Sequence, residues 1–275
     1  MLLSWWNTNI EVESGRFKMI GYNKKSNYTV AVIERSPMVK VVRRGYEPED
    51  ERAFTGEQLM LLSKAADEMR YLLNRGYQTK QASIFIGNHY MFSERQRLAL
   101  ARTISSDESI ELRRKKLITD CMEIPEVHID GFNLIITLEV ALSGSPVFES
   151  MDGTIRDLAG LRGTYRIIDK TEAAIDLVML WLEQYSIHKA TFYLDAPVSN
   201  SKRLASLLRE IAKNHQVKVE VEVIPHVDVV LETLNHVITS DGIILNKCKS
   251  WINMNHEIIL KQVPNLWKVG FVALP

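Results

Sequence analysis

The stretch VHIDGFNLIITLEVAL, residues 127–142, begins as a β-strand and then carries two polar side chains where its apolar run turns over. These are a carboxylate, Asp130, and a carboxamide, Asn133. In an open parallel sheet, ligands bind in the crevice outside the carboxyl ends of the strands. The polar pair is therefore interpreted as one wall of a ligand site at the end of the strand EVHID, residues 126–130.

The remainder of the chain after residue 126 alternates between strand and helix patterns. The predicted strands are EVHID, ATFYLD, VKVEVEVIP and HVITSD, with NHEIIL (255–260) as a last strand. The predicted helices between them are TEAAIDLVMLWLEQYS, SNSKRLASLLREIAKNHQ and HVDVVLETLN. Such alternation favours parallel strands joined by crossover helices. The predicted fold is a Rossmann-like, three-layer α/β domain with a parallel sheet.

Three segments are predicted along the chain. Residues 1–45 form a strand-like extension that includes TVAVIER and MVKVVRR, residues 46–118 a mainly helical domain, and residues 119–275 the α/β domain. In the helical domain one helix lies within residues 54–77 and ends at Gly76, and a second begins after the cap Ser93. DESIELRRKKLI, residues 107–118, is predicted to be a charged connector.

Composition indicates a globular protein of 275 residues with 46% hydrophobic residues. Residues 1–118 include 20 basic and 14 acidic residues, and residues 119–275 include 14 basic and 20 acidic residues. The basic first part of the chain suits a phosphate-rich partner, and the acidic second part suits a bound cation. Cys121 and Cys248 form neither a CxxC pair nor a zinc pattern. No apolar run is long enough to span a bilayer, so a cytoplasmic location and no membrane partner are expected; association into oligomers is left open.

Three predicted strands end in aspartate, at Asp130, Asp195 and Asp241, and Asp228 follows in the first turn of a later helix. With the common strand order 3-2-1-4-5, the strands ending at Asp130 and Asp241 are neighbours and Asp195 lies one strand further out. Clustered carboxylates need a proton or a cation to neutralise them. Each aspartate also has a structural interpretation as a turn residue or helix cap, and for Asp228 the helix dipole alone is sufficient.

Oxygen ligands without His or Cys favour Mg²⁺ or Mn²⁺, and phosphodiester hydrolysis is the chemistry that such a site suits. Asn133, Thr239 and Ser240 would orient ligands or water. Arg156, Arg162 and Arg166 lie in a Gly-interrupted stretch beside the expected crevice and are predicted to bind substrate phosphate. Arg95, Arg97 and Arg102 on the second front helix are weaker candidates for the same role, because exposed arginines on helices commonly form surface pairs.

The segments IDGFN (129–133), FYLDAP (192–197) and VITSDG (237–242) resemble the PIN and NYN superfamily of metal-dependent ribonucleases. The resemblance covers about residues 126–262 and implies a PIN-like fold that cleaves RNA with Mg²⁺ or Mn²⁺. It matches Asp130, Asp195 and Asp241 to the acidic metal ligands and makes Asp228 a further one. Where that superfamily often has an acidic helix residue, this chain offers Glu149, Asp152 or Asp157.

The whole chain is also similar to a two-domain family of prokaryotic proteins without an established activity. RGYEPEDERAF, LLNRGYQTKQASIFIGNHY and ERQRLALAR resemble its helical domain, and DAPVSNS resembles its second domain. Two alternatives to the ribonuclease stay open at this point. One is a non-catalytic module that binds RNA or a nucleotide in the same crevice, and the other is a Rossmann-like enzyme acting on a small phosphorylated molecule.

Overall fold

The predicted strands that end at or near Asp130, Asp195 and Asp241 belong to one parallel β-sheet. The structure, a computed structural model, describes residues 7–13, 16–22, 42–122, 124–160 and 163–270. Within these ranges the sheet has six strands, in the spatial order β3 (Leu117–Ile118), β10 (Trp251–Ile252), β9 (Val237–Ile238), β4 (Glu126–Asp130), β7 (Lys189–Asp195) and β8 (Lys218–Ile224). Every pair of neighbouring strands in this sheet is parallel.

The predicted strand order is confirmed. Strand β4 lies between β9 and β7, with Ile129 opposite Ile238 on one side and Asp130 opposite Tyr193 on the other. The order β8-β7-β4-β9-β10 is the 3-2-1-4-5 order, to which β3 adds one edge strand. The carboxyl ends of β4, β7 and β9 therefore meet at one edge of the sheet.

Helices cover both faces of the sheet. They are α6 (Gly131–Leu142), α7 (Thr171–Gln184), α8 (Ser201–Ala212), α9 (Val227–Leu231), α10 (Gly242–Lys247) and α11 (Met254–Gln262). Successive strand residues point to opposite faces. Accordingly Ile238 and Ile252 join the core that contains α6, α7, α8 and α11, whereas Val237 and Trp251 join the core that contains α9 and α10. The predicted parallel α/β architecture is thus confirmed.

The region before the sheet is helical, as predicted. Its helices are α1 (Asp50–Ala53), α2 (Gly56–Leu73), α3 (Thr79–His89), α4 (Glu94–Thr103) and α5 (Asp107–Lys116). Ser93 caps α4 through a complete capping box with Gln96, and Gly76 adopts a positive φ of 83° just after α2. The helices share a core with Phe148, Met151 and Val269. These belong to the second sheet and its connecting turn; the strands of that sheet are β11 (Lys268–Val269), β5 (Val147–Glu149) and β6 (Ile155–Arg156).

Two assignments from the sequence are wrong. Residues 107–116 form the helix α5 rather than a connector, because Ser106 caps them and Ile110 and Arg113 face the interior. NHEIIL lies in α11, and the strand in that region is β10 just before it. The β-branched pair Ile258 and Ile259 favours a strand in the sequence, but in the structure these residues bury one face of a helix.

The two N-terminal strands pair with each other. Strands β1 (Asn7–Glu13) and β2 (Arg16–Tyr22) pair antiparallel, with Asn7 opposite Tyr22. They belong to a separate unit, residues 1–41, while residues from 42 onward form the other. TVAVIER and most of MVKVVRR lie outside the described residues. In the described part of the chain no helix has the length and apolar character needed to cross a membrane.

Candidate functional site

A cavity of about 250 Å³ opens at the carboxyl edge of the main sheet. Its wall contains the four predicted aspartates, Asp130, Asp195, Asp228 and Asp241, together with Asp157, Asn133, Ser240, Arg102 and Arg156. Phe132, Ile136 and Ala159 supply its apolar surface. The structure therefore brings together residues from the ends of three adjacent strands and from the helical region.

Asp130 ends β4 and also caps α6. Its Oδ1 accepts a hydrogen bond from the amide of Asn133 at 3.4 Å, and its Oδ2 accepts one from the Thr239 hydroxyl at 2.8 Å. The side chain is buried, and the pKa of its carboxyl is raised to about 7. Burial is the largest cause, the charges of Asp241 and Asp228 add to it, and the hydrogen bonds from Thr239 and Asn133 oppose it.

Gly131 allows α6 to begin directly at the sheet edge. A Cβ at this position would lie 2.6 Å from a side-chain carbon of Leu194 and 3.1 Å from the carbonyl oxygen of Tyr193, both on β7. Only glycine fits so close to a neighbouring strand. The Asp-Gly pair thus lets the chain turn from strand to helix with the carboxylate held at the turn.

Asp241 caps α10 in the same way, three residues beyond the end of β9. Its Oδ1 accepts hydrogen bonds from the amides of Ile243 at 2.7 Å and Ile244 at 3.3 Å. Among the described residues its Oδ2 has no hydrogen-bond partner. One oxygen of Asp241 therefore serves the helix, and the other is available to the cavity.

Asn133 links the two turns. Its Oδ1 accepts hydrogen bonds from both the amide and the hydroxyl of Ser240, each at 2.8 Å. Because the amide oxygen is used in this way, the Nδ2 group is left to donate into the cavity. Thr239 completes the link, since its Oγ1 accepts a hydrogen bond from the amide of Asp241 at 3.0 Å while donating to Asp130.

The other two predicted aspartates lie on the outer side of the cavity. Asp195 is the last residue of β7, and Asp228 lies in the first turn of α9. The pKa of Asp228 is raised, first by desolvation and then by the charges of Asp241 and Asp195. The four carboxylates thus act on one another electrostatically, which a helix-dipole role for Asp228 does not explain.

Of the three acidic residues Glu149, Asp152 and Asp157, among which the sequence alone does not decide, Asp157 lines the cavity. It is buried, and burial raises its pKa although Arg102 and the Thr137 hydroxyl lower it. Its Oδ2 accepts a hydrogen bond from Thr137 at 2.7 Å. Asp152 instead forms buried ion pairs with arginines, and Glu149 pairs with Lys268 at 2.7 Å.

The predicted phosphate-binding arginines have different environments. Arg156 lines the cavity, but Asp152 holds its guanidinium at 2.7 Å. Arg166 is exposed, and the cavity lining found among the described residues does not include it. Arg162 lies outside the described residues. The structure thus brings Arg156 to the site and does not bring Arg166 there.

Arg102, a weaker candidate from the sequence, also lines the cavity. It lies near the end of α4, and its Nη1 donates to the carbonyl oxygen of Asp157 and lies 3.7 Å from the Asp157 carboxylate. The acidic neighbour of Arg102 is thus Asp157 of the cavity wall, while Asp107 pairs with Arg70. The available signal was its position in the last turn of a capped helix.

The donor set is one of oxygen atoms, as a hard divalent cation requires. Within the described residues no group of three or more His, Cys, Asp or Glu side chains is placed to hold a metal ion by itself. Mg²⁺ typically uses one or two carboxylates, several waters and substrate phosphate oxygens. The buried Asp130 and the unbonded Oδ2 of Asp241 fit this smaller demand. A cation would offset both the burial and the repulsion from Asp241 that together raise the pKa of Asp130.

Two family models match this chain. Residues 119–257 match the family model described as "Domain of unknown function (DUF5616)". The chain belongs to this family. Residues 61–116 match a second model, "Protein of unknown function (DUF434)". The cavity combines the two matched segments, since Arg102 lies in the DUF434 segment and the four aspartates in the DUF5616 segment.

A curated archaeal protein is similar over most of both chains. It is "Uncharacterized protein MJ0935" of Methanocaldococcus jannaschii, 37% identical over 188 residues that cover 68% of this chain and 89% of that protein. No solved structure matches the chain. These descriptions name no activity, so they bear on family membership and not on chemistry.

Proposed function

We propose that this protein is a metal-dependent ribonuclease with a PIN-like α/β domain, which hydrolyses RNA phosphodiester bonds in the cavity at the sheet edge. One observation carries the proposal. Four aspartates from the ends of adjacent elements line one cavity, and the most buried of them, Asp130, has its pKa raised to about 7 with Asp241 and Asp228 contributing. Perturbed carboxylates in a cleft are typical of active sites.

The roles of the residues follow from their contacts. Asp130 and Asp241 would hold the principal Mg²⁺ or Mn²⁺ ion, and Asp195 and Asp228 would support it through water ligands. When bound, such an ion lowers the pKa of a water ligand and stabilises charge on phosphoryl oxygens. Asn133 would donate from Nδ2 to a substrate or water oxygen, and Ser240 fixes the orientation of Asn133 through two hydrogen bonds of 2.8 Å.

The proposal is tested with end-labelled RNAs of varied sequence and structure, incubated with Mg²⁺, with Mn²⁺ or with EDTA. The proteins compared are wild type, Asp130→Asn, Asp241→Asn and Asp67→Asn, purified identically. Asp67 is an exposed aspartate on α2 and provides the matched control. Asn retains the capping geometry at both cavity positions, so lost activity would report the carboxylates rather than the helices.

We expect wild type and Asp67→Asn to cut only when the metal is present, and the two cavity variants to lose activity by about a hundredfold or more. If all four proteins cut equally, the carboxylates are not catalytic and the proposal is wrong. If wild type binds RNA without cutting it, the non-catalytic binding module replaces the nuclease.

A further inference from the structure

Resting on the proposed function, we infer that Arg102 of the DUF434 segment is the residue that binds substrate phosphate. The active site is then shared between the two matched segments. Arg102 lies on α4, whereas the proposed metal ligands lie on elements of the DUF5616 segment. The ligand class is a phosphate ester, recognised by a guanidinium on one wall and a cation held by carboxylates on the other.

The guanidinium of Arg102 is available to a ligand. Its side chain is 35% exposed and lines the cavity. Nη1 donates to the Asp157 carbonyl oxygen, but its distance of 3.7 Å from the Asp157 carboxylate is too long for a hydrogen bond. Within the described residues Nε and Nη2 of Arg102 make no hydrogen bond. The Nε and Nη2 donors therefore remain for two oxygens of a phosphate group.

Arg156, the other arginine of the cavity wall, is already occupied. Its side chain is 11% exposed, with Nη2 at 2.7 Å from the Asp152 carboxylate and Nε donating to the Thr154 hydroxyl at 3.2 Å. Its remaining group, Nη1, donates to the backbone carbonyl oxygen of Arg102. Arg156 is therefore a positioning residue that holds the end of α4 at the cavity.

A buried network fixes Arg102 relative to the metal-binding side. Arg113 on α5 is paired with Asp152 at 2.5 Å, and Asp152 also holds Arg156. The same Arg113 donates to the carbonyl oxygen of Gly242 at 3.2 Å and to Asn246 at 2.7 Å, and both acceptors lie on α10, the helix that Asp241 caps. The guanidinium of Arg102 and the carboxylate of Asp241 are thus placed by one set of contacts.

Charge explains why the site needs this arginine. A phosphate entering the cavity meets the acidic side chains of Asp130, Asp195, Asp228 and Asp241, with Asp157 beside Arg102, and a single divalent cation offsets only part of that charge. Because Nε, Nη1 and Nη2 of Arg156 all donate to protein acceptors, Arg102 is the arginine with free donors on the described cavity wall. Its loss should therefore weaken phosphate binding and not merely loosen the helix.

The test measures binding rather than cleavage. Two probes are used with Ca²⁺ in place of Mg²⁺, adenosine monophosphate and a labelled single-stranded RNA of about 12 nucleotides, a length that one binding groove can cover. The proteins are wild type, Arg102→Gln, Arg102→Lys and Arg114→Gln, all as full chains checked by thermal melting. Arg114 is the matched control, since it lies on the neighbouring helix with a side chain that is 63% exposed.

For Arg102→Gln we expect the Kd for both probes to rise by about tenfold or more, as for the loss of charge-assisted hydrogen bonds. The slope of log K against log salt for RNA should fall by about 0.7. Arg102→Lys should keep the slope and bind several-fold more weakly, because lysine lacks the fork of donors. Arg114→Gln should bind like wild type. If Arg102→Gln does not fold, the Arg102→Lys result decides, and wild-type affinity there overturns the inference.

The outcomes separate this inference from the nuclease proposal. If wild type binds RNA and Arg102→Gln matches Arg114→Gln, the inference is wrong while the nuclease proposal stands. If wild type binds only the mononucleotide, and does so through Arg102, the inference holds and RNA is not the substrate. If wild type binds neither probe, both ideas are overturned.

Discussion

Replacing the buried carboxylate of Asp130 with asparagine should make the protein more stable at neutral pH. The folded-state pKa of about 7 lies well above the ordinary 3.8. The folded protein therefore binds this proton more tightly than the unfolded chain does, and its stability falls as the pH rises from 3.8 through 7. At 1.36 kcal/mol per pKa unit, ionising Asp130 in the folded state costs on the order of 4 kcal/mol above pH 7.

Asparagine removes the charge while keeping most contacts. It is a good N-cap, so the hydrogen bond from the Asn133 amide is retained. The Thr239 hydroxyl, which donates to Oδ2, loses its best acceptor, and this costs about 1 kcal/mol. The net expectation for Asp130→Asn at about pH 8 is a gain of roughly 2 to 3 kcal/mol in the free energy of unfolding.

Urea denaturation in EDTA, followed from about pH 5 to about pH 8, measures this gain. The difference between Asp130→Asn and wild type should grow by about 2 kcal/mol between pH 5 and pH 7, because most of the penalty develops in that interval. A variant less stable than wild type at pH 8, or a difference that does not change with pH, would refute the electrostatic reasoning.

Asp152→Asn provides a buried control with the opposite sign. Burial alone would raise the pKa of Asp152, but Arg156, Arg113 and Thr154 together hold it below its ordinary value. Its contribution to stability is therefore present above pH 3.8 and is lost as the pH falls through the folded-state pKa. At neutral pH Asp152→Asn should destabilise the protein by about 3 kcal/mol, because two buried guanidinium groups lose their counter-charge.

Three further changes test how the site is supported. Gly131→Ala places a Cβ 2.6 Å from a side-chain carbon of β7, so urea denaturation should show a free energy of unfolding lower by about 1 to 3 kcal/mol. The control Gly160→Ala, which has open space around it, should change the free energy of unfolding by less than about 0.5 kcal/mol. Arg113→Met leaves Asp152 partly unpaired, and thermal melting should show a loss of stability equivalent to about 3 to 5 kcal/mol. Unchanged melting would indicate that Arg156 alone is enough to pair with the Asp152 carboxylate. Ser93→Ala removes a capping box and should cost about 1 kcal/mol in the same denaturation assay, and an unchanged midpoint would show that α4 does not depend on it.

The sheet and its aspartates could be predicted because local patterns determine them. Strand periodicity located β4 and β7, and the usual strand order placed Asp130 between Asp195 and Asp241. Helix α5 could not be recognised from its polar sequence, since its stability depends on the buried contacts of Arg113 with residues far along the chain. For the same reason the charge pattern of residues 107–118 predicts a connector rather than a helix.

The two arginines of the cavity wall could be named from the sequence but could not be ranked, for a related reason. Arg102 and Arg156 have the same charge, and nothing in the local sequence distinguishes a guanidinium with free donors from one whose donors are all used. The distinction is made by Asp152, which pairs with Arg156 and with Arg113 at the same time. Such a role depends on tertiary contacts that join α4, α5 and the β5–β6 turn.

Helix capping is the strongest structural explanation for Asp130 and Asp241, and it leaves one fact unexplained. Asparagine caps helices as well as aspartate does, and at position 130 it would avoid the cost of a buried charge. Serine at position 241 would also accept the two amide bonds while removing a charge that acts on both Asp130 and Asp228. A chain selected only for stability would therefore not place ionisable groups at both caps. Their presence is what a cation-binding site requires, because only carboxylates provide both the cap and the negative charge.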